Sequence, residues 1–335
     1  RRNLSHSAPA PALWAHRMGA LTPQARLVVI FASLGHFLHH VLTGLFLTLA
    51  IVLERVWEKP YAEIIALWTL GAAMIGLGAP LAGWLADRFS QARMMAVFFL
   101  GLGASAIGAG LVADASGMAM ALAALGIFGA IYHPVGMAWV SMTAPADRRG
   151  RIMGVLGIAG SIGVALAAVI AGGLTELGGW RLAMILPGAV TVLAGLLLMS
   201  TIFLGKIDIG AAPGGAKVGD KAGGASEMRA PFAVLAVLTV TFTLGAIAYA
   251  AYTTALPKWL SDSLALDASE AGSLGLVVGA IMLSGSIGQV IGGRLADRLP
   301  FKWLYVGTFV LKLLPFAVAA VFDGPAMLLV AMLIG

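Results

Sequence analysis

Four histidines lie inside long apolar stretches of this chain, where an ionisable ring has little water to solvate it. His36, His39 and His40 fall in the first stretch (27–53) and His133 in the fourth (117–142), while His6 and His16 belong to the polar N-terminal segment. Ionisable side chains within a membrane are costly and mark a solute pathway or a proton relay. His36 and His40 are four apart and His36 and His39 three apart, so each pair can share a helix face. His36 is nine residues into its stretch, a rise of about 14 Å, which is near the middle of a ~30 Å hydrocarbon core. His133 precedes Pro134, which should kink its helix. Imidazole titrates near about 6.5, so a cavity histidine can load and release a proton near neutral pH. No Asp or Glu lies deep in any stretch, and Glu63 stands at the mouth of the second.

The same rings allow other chemistry. His36, His40 and His133 could complete a zinc or iron site, which would make a transition metal or its chelate the cargo. His36 and His133 could instead be the axial ligands of a bis-histidine haem. A purely structural histidine would bond a carbonyl of a neighbouring helix. The seventh stretch carries Tyr249, Tyr252, Thr253 and Thr254 and ends at Lys258. The tyrosines can hydrogen-bond a substrate or anchor the span at the interface. Lys312 lies mid-stretch in the ninth, where a partner on a neighbouring helix would satisfy it. There is no cysteine, so disulfides, thiolate metal sites and thiol nucleophiles are excluded.

The elements that hold these groups follow from composition. Of 335 residues, 60% are hydrophobic and 11% charged, against roughly 25% charged in a soluble domain. That balance excludes a cytosolic enzyme, a nucleic-acid binder and a disordered chain. Apolar stretches fall at about 27–53, 62–85, 94–113, 117–142, 152–175, 181–204, 231–256, 270–293 and 302–322, and a tenth begins at 325. They are too long for barrel strands and do not alternate, so they are membrane helices, which satisfy their own backbone groups. The chain has no initiator Met, no signal peptide, and ends at Gly335 inside an apolar run; the expectation is a fragment.

Lys and Arg set the orientation. Sixteen lie in the N-terminal segment and the even-numbered connections, and four (Arg55, Lys59, Arg181, Lys258) in the odd-numbered ones. The N-terminus is therefore expected in the cytoplasm. Trp57, Trp84, Trp139, Trp180, Trp259 and Trp303 lie near span ends, as interfacial anchors do. Residues 205–230, rich in Gly, Ala and Lys, read as a flexible linker. The expected division is a tail at 1–25, a six-helix bundle at 26–204, the linker at 205–230 and a second bundle at 231–335. Gly154, Gly157, Gly160 and Gly163 recur every three residues in the fifth stretch, and are expected as packing and sliding surfaces.

An internal repeat supports two halves. A shift of 210 residues places Gly78 on Gly288, Gly83 on Gly293, and Leu85-Ala86-Asp87-Arg88 on Leu295-Ala296-Asp297-Arg298. Parallel repeats about an axis along the membrane normal are a transporter signature.

GxLADR with following basic residues, after the second and eighth spans, resembles the signature loop of the major facilitator superfamily. ADRRGRIMG at 146–154 and GGWR at 178–181 resemble two further loops of that family. Within it, GHFLHH at 35–40 and IYHPVG at 131–136 look most like the fosmidomycin-resistance-type efflux group, with His39 and His40 in place of an amide and a carboxylate and Val135 in place of an acid. The fifth span resembles the Gly-rich antiporter motif, with Ala168-Val169 in place of Gly-Pro. The resemblance implies an all-α membrane protein with the major-facilitator fold, two pseudo-symmetric six-helix bundles, the second truncated in this chain. It implies a secondary transporter, not an enzyme. The transporter would export a small organic solute or drug by proton antiport from a bacterial inner membrane. It would act as a monomer without cofactor or nucleic acid. His36, His39, His40, His133, Tyr249 and Tyr252 would bind substrate or proton. Gly83, Asp87, Arg88, Arg93, Gly293, Asp297 and Arg298 would form the gating motif, with Asp87 bridging the halves when the cytoplasmic side is closed.

Overall fold

The structure is a computed structural model that describes residues 21–145, 148–209, 232–266, 268–296 and 299–319. Residues 1–20 of the expected tail, linker residues 210–230, Asp297, Arg298 and the tenth stretch lie outside the described residues.

Among the described residues every regular element is helical: α1 Pro23–Val56, α2 Tyr61–Ala66, α3 Trp68–Phe89, α4 Gln91–Leu111, α5 Ala115–Gly129, a wide π-type turn Tyr132–Gly136, α6 Met137–Thr143, α7 Arg149–Phe203, α8 Phe232–Ser263, a 3-10 turn Ala268–Glu270, α9 Ala271–Ala296 and α10 Phe301–Ala319. The nine expected spans map onto these in order. Helices α2 and α3 make the second span, α5 to α6 the fourth, and α7 the fifth and sixth. At 55 residues α7 would be about 80 Å long if straight, far more than a bilayer needs. Gly178 (φ −159°, ψ 21°) and Gly179 (φ 78°, ψ 169°) break it into two arms, and the positive φ of Gly179 is a conformation suited to glycine.

Local signals fix the helix ends. The Thr22 side chain accepts from the Ala25 N–H at 3.1 Å, and Pro23 occupies the first turn of α1, where its missing N–H costs nothing. Asp114 Oδ1 accepts from the Gly117 N–H at 2.8 Å at the start of α5. Arg181, of the GGWR segment, donates to the carbonyls of Gly110 (3.2 Å) and Val112 (2.8 Å). It thereby caps the C-terminal end of α4, where a cation suits the helix dipole.

Large apolar side chains point outward over the whole surface, Phe203 at 89% and Leu177 at 80% exposure among them. A soluble monomer does not tolerate so continuous an apolar exterior; it is a lipid-facing coat. Inside, one cluster gathers α1, α4, α5 and both arms of α7 around Phe46, Phe98, Phe99 and Tyr132. A second, smaller cluster joins α1 and the first arm of α7 to α8 and α9 through Ile51, Ala168, Leu256, Leu260, Leu274 and Ile281.

Two expectations are corrected. Trp139 and Trp180 are buried, at 6% and 7% exposure, and Trp180 packs edge-on against Trp57 at 5.8 Å; these rings fill the core near span ends and do not anchor in lipid. Trp84 and Trp303 are exposed as expected, with Arg88 and Lys302 over their rings. Among the described residues Gly160 and Gly163 pack against α1, while Gly154 and Gly157 meet no neighbouring element. The tightest contact between α7 and α9 runs instead through Ala165, Ala168 and Gly172 against Gly272, Gly275 and Gly279. Small residues let two backbones approach this closely.

Candidate functional site

The site is built where α1 meets the break in the fourth span. Pro134 has no N–H and its ring would crowd the carbonyl one turn earlier, so the helix ends at Gly129, turns at Ala130–Ile131 and continues as the wide turn Tyr132–Gly136. The kink expected at Pro134 takes this form. It presents His133 toward α1.

All four membrane histidines come together. Ring centroids are separated by 4.9 Å for His36–His40, 5.4 Å for His36–His133, 5.0 Å for His39–His40, 4.9 Å for His39–His133 and 5.7 Å for His40–His133. His36 Nδ1 donates to the Leu156 carbonyl of α7 at 2.7 Å. A carbonyl only accepts, so in the neutral ring Nε2 is the bare nitrogen. His40 Nε2 lies 3.2 Å from that atom.

Tyr132 organises this cluster, and sequence reasoning did not single it out. Fully buried, its hydroxyl donates to the Ala32 carbonyl at 2.8 Å. Its ring stacks on His36 (4.8 Å, 17°) and on His39 (5.7 Å, 25°). Its place beside His133 in IYHPVG was the available signal. Thr43, on the face one turn beyond His39, was missed as well; its hydroxyl donates to the His39 carbonyl at 2.8 Å.

The histidines differ in how well they are satisfied. His36 has the carbonyl bond of a structural histidine. His39 is 3% exposed and among the described residues its Nδ1 has no hydrogen-bond partner. A buried polar atom left unpaired costs free energy, so a purely structural role does not account for His39.

A cavity of about 570 Å³ opens beside the cluster. His39, His40, Thr43 and Thr48 line it from α1, Trp68 from α3, His133 from the wide turn, and Tyr249, Thr253, Val278 and Met282 from α8 and α9. His36 sits one layer behind this wall. Among the described residues, none that lines it is Asp, Glu, Lys or Arg. Of the two expected tyrosines, Tyr249 lines the cavity, whereas Tyr252 packs against the small cluster between α7, α8 and α9.

The two halves touch at the end of the bundle far from Asp87. Lys258 Nζ of α8 lies 3.5 Å from Glu54 Oε2 of α1 and 3.0 Å from Asp262 Oδ1. The Tyr61 hydroxyl donates to the Thr254 carbonyl at 3.4 Å. The Gly272 N–H at the start of α9 donates to Glu176 Oε1 of α7 at 2.7 Å, an acid placed on a helix N-terminus. Glu54, Tyr61 and Glu176 were not singled out from the sequence. At the opposite end Asp87 and Arg93 are exposed, and Arg88 lies 4.6 Å over the Trp84 ring. Gly83 faces Pro134 at ordinary contact distance, and Gly293 lies within α9.

Comparison with known proteins agrees with the architecture. A sequence profile described as Major Facilitator Superfamily matches residues 28–335. Puromycin resistance protein pur8 of Streptomyces alboniger is 31% identical over 131 residues, 38% of this chain and 26% of that protein. An MFS-type efflux pump of Mycolicibacterium smegmatis is 34% identical over 195 residues, 56% of this chain and 43% of the pump. The chain thus spans less than half the length of these relatives. The crystal structure of a bacterial homolog of the human lysosomal transporter Spinster, inward-facing and unoccupied, superposes with a TM-score of 0.69 at 18% identity, over 93% of this chain and 72% of that one.

Proposed function

The chain belongs to the Major Facilitator Superfamily, and from that premise we propose that it is a secondary active transporter which exports a small polar or anionic organic solute in exchange for protons. The observation that carries this reading is the clustering of four imidazoles, three of them lining a cavity walled by both halves of the chain. Rings this close repel when two are protonated, so a single shared proton is the natural load. Among the described residues no carboxylate lines the cavity to hold a cationic solute; a protonated imidazole, Thr43, Thr48 and Tyr249 suit an anionic or neutral polar group, and Trp68 and Met282 suit an apolar body.

In this reading the residues 26–204 and 231–335 rock against each other about the cavity. Glu54, Lys258, Tyr61 and Glu176 hold one end shut in the present state. Gly83, Asp87, Arg88 and Arg93, with Gly293, Asp297 and Arg298 of the repeat, close the other end in the alternate state. The N-terminus faces the cytoplasm of a bacterial inner membrane, and the monomer is the working unit. Transport of iron, zinc or a chelate as cargo draws no support from the relatives described above, which concern puromycin resistance and efflux.

The test uses vesicles containing the full chain with puromycin, taken from the name of the first relative, among the trial solutes. A pH gradient should drive flux, and His36→Ala and His133→Ala should each abolish it. Unchanged flux in both variants removes the proton role.

A further inference from the structure

The histidine cluster has a geometry that solute binding does not require. One ring nitrogen each from His36, His40 and His133 lie within 4.8 Å of one another. The Nε2 atoms of His36 and His40 are 3.2 Å apart. Two ligands on a tetrahedral zinc at about 2.0–2.1 Å stand about 3.4 Å from each other, so this pair is already spaced as two ligands of one ion. We propose that His36, His40 and His133 form a three-imidazole site for a divalent transition-metal ion of the zinc class, bound as an inhibitor and not as cargo.

Three features support it. The carbonyl bond from Leu156 fixes the His36 tautomer and leaves Nε2 bare; metal-ligating histidines are oriented by such a bond from the other nitrogen. The two α1 ligands are four residues apart on one helix face, and His133 approaches from a different element. The cavity beside His40 and His133 leaves room for water or a solute donor at a fourth position, the arrangement of sites with three protein ligands and an open place. A set of three imidazoles suits zinc, cobalt, nickel or copper over magnesium or calcium. A metal here occupies the wall used by the solute, so Zn²⁺ inhibits export. The site rests on the same rings as the proposed transport function, but its test needs no transport.

The experiment is a Co²⁺ titration of the purified full chain, read by the visible d–d bands of tetrahedral cobalt and by their displacement with Zn²⁺. One Co²⁺ per chain with bands that Zn²⁺ abolishes is the expected result, retained in a His6→Ala/His16→Ala background that removes the two histidines outside the apolar stretches. His133→Ala should weaken Co²⁺ binding by more than the ~10–100-fold that loss of an outer-shell partner costs. His133 is exposed to the cavity, so this variant disturbs packing least; His40→Gln gives a second reading of the same bands if His133→Ala does not fold. Absence of bands in the parent chain, or their persistence in both variants, overturns the site. Missing bands with intact pH-driven flux leave transport standing, and bands without flux leave the metal site standing.

Discussion

The His36 ring donates from Nδ1 to the carbonyl of Leu156 at 2.7 Å, and so ties the middle of α1 to the first arm of α7 across 120 residues of chain. Gly160, one turn beyond Leu156, is what makes room for it. A Cβ at Gly160 would stand 2.7 Å from His36 Nδ1 and 2.6 Å from Nε2. The ring cannot step aside, because Tyr132 stacks on its face and Tyr132 is itself bonded to Ala32.

Gly160→Ala should therefore break the His36–Leu156 bond while leaving the helices intact. Overpacking of this kind costs about 1–3 kcal/mol. Thermal unfolding of the detergent-solubilised variant should shift by that amount, and pH-driven flux should fall by tenfold or more. A variant with unchanged unfolding and flux would show that the ring is not held where the structure places it.

The contacts between Glu54, Lys258 and Asp262 predict a shift in conformation. Glu54 and Lys258 side chains are each 31% exposed, so screening limits the pair to about 0.2–1 kcal/mol, at most roughly fivefold in a two-state equilibrium. Glu54→Gln should open that end by this factor, and Glu54→Lys with Lys258→Glu should restore part of it. The chain has no cysteine, so single cysteines introduced on α1 and α8 can carry spin labels without background. Identical label distances in Glu54→Gln and the parent would remove the latch.

Asp87 poses the complementary case. A carboxylate in the last turn of α3 opposes the helix dipole, at about 0.3–1 kcal/mol, and among the described residues it makes no ion pair. Its repeat partner Asp297 occupies the same place in the motif. A residue unfavourable in one state and retained twice in register fits a partner met only in the other state. Asp87→Asn should slow flux severalfold with normal membrane insertion; full activity would end the gating role.

Much of this was legible in the chain because it was local. Apolar runs without alternation gave the helices, and the GxLADR copies gave the two halves. Histidines at i and i+4 inside an apolar stretch gave α1's share of the site, and the Pro beside His133 gave its bent partner. What remained hidden depends on which helices meet. Nothing near Glu54 points to Lys258, 204 positions away, and nothing near Glu176 points to the N-terminus of α9. Tyr132 looked like any aromatic residue in a span until its ring was seen between His36 and His39. Trp139 and Trp180 sit at the right height for anchors, but height along a span does not say which way a ring faces.

The seam between α7 and α9 yields the last prediction. A Cβ at Gly279 would lie 2.8 Å from the Ala165 carbonyl, and one at Gly275 would press on the Ala168 backbone. Neither neighbour can yield, since both are main chain within a helix. In lipid there is no hydrophobic gain to drive the two helices together, so their contact depends on close van der Waals fit between small residues. Gly279→Leu should force α7 and α9 apart and widen the cavity wall formed by Val278 and Met282. Because α7 belongs to one half and α9 to the other, the damage should fall on the transition between states more than on insertion. Flux should drop to near background while surface expression stays within about twofold, and the distance between spin labels at the ends of α7 and α9 should lengthen. Gly279→Ala, a smaller version of the same intrusion, should fall between the parent and Gly279→Leu; wild-type flux in both would show that the two helices do not need this approach to work.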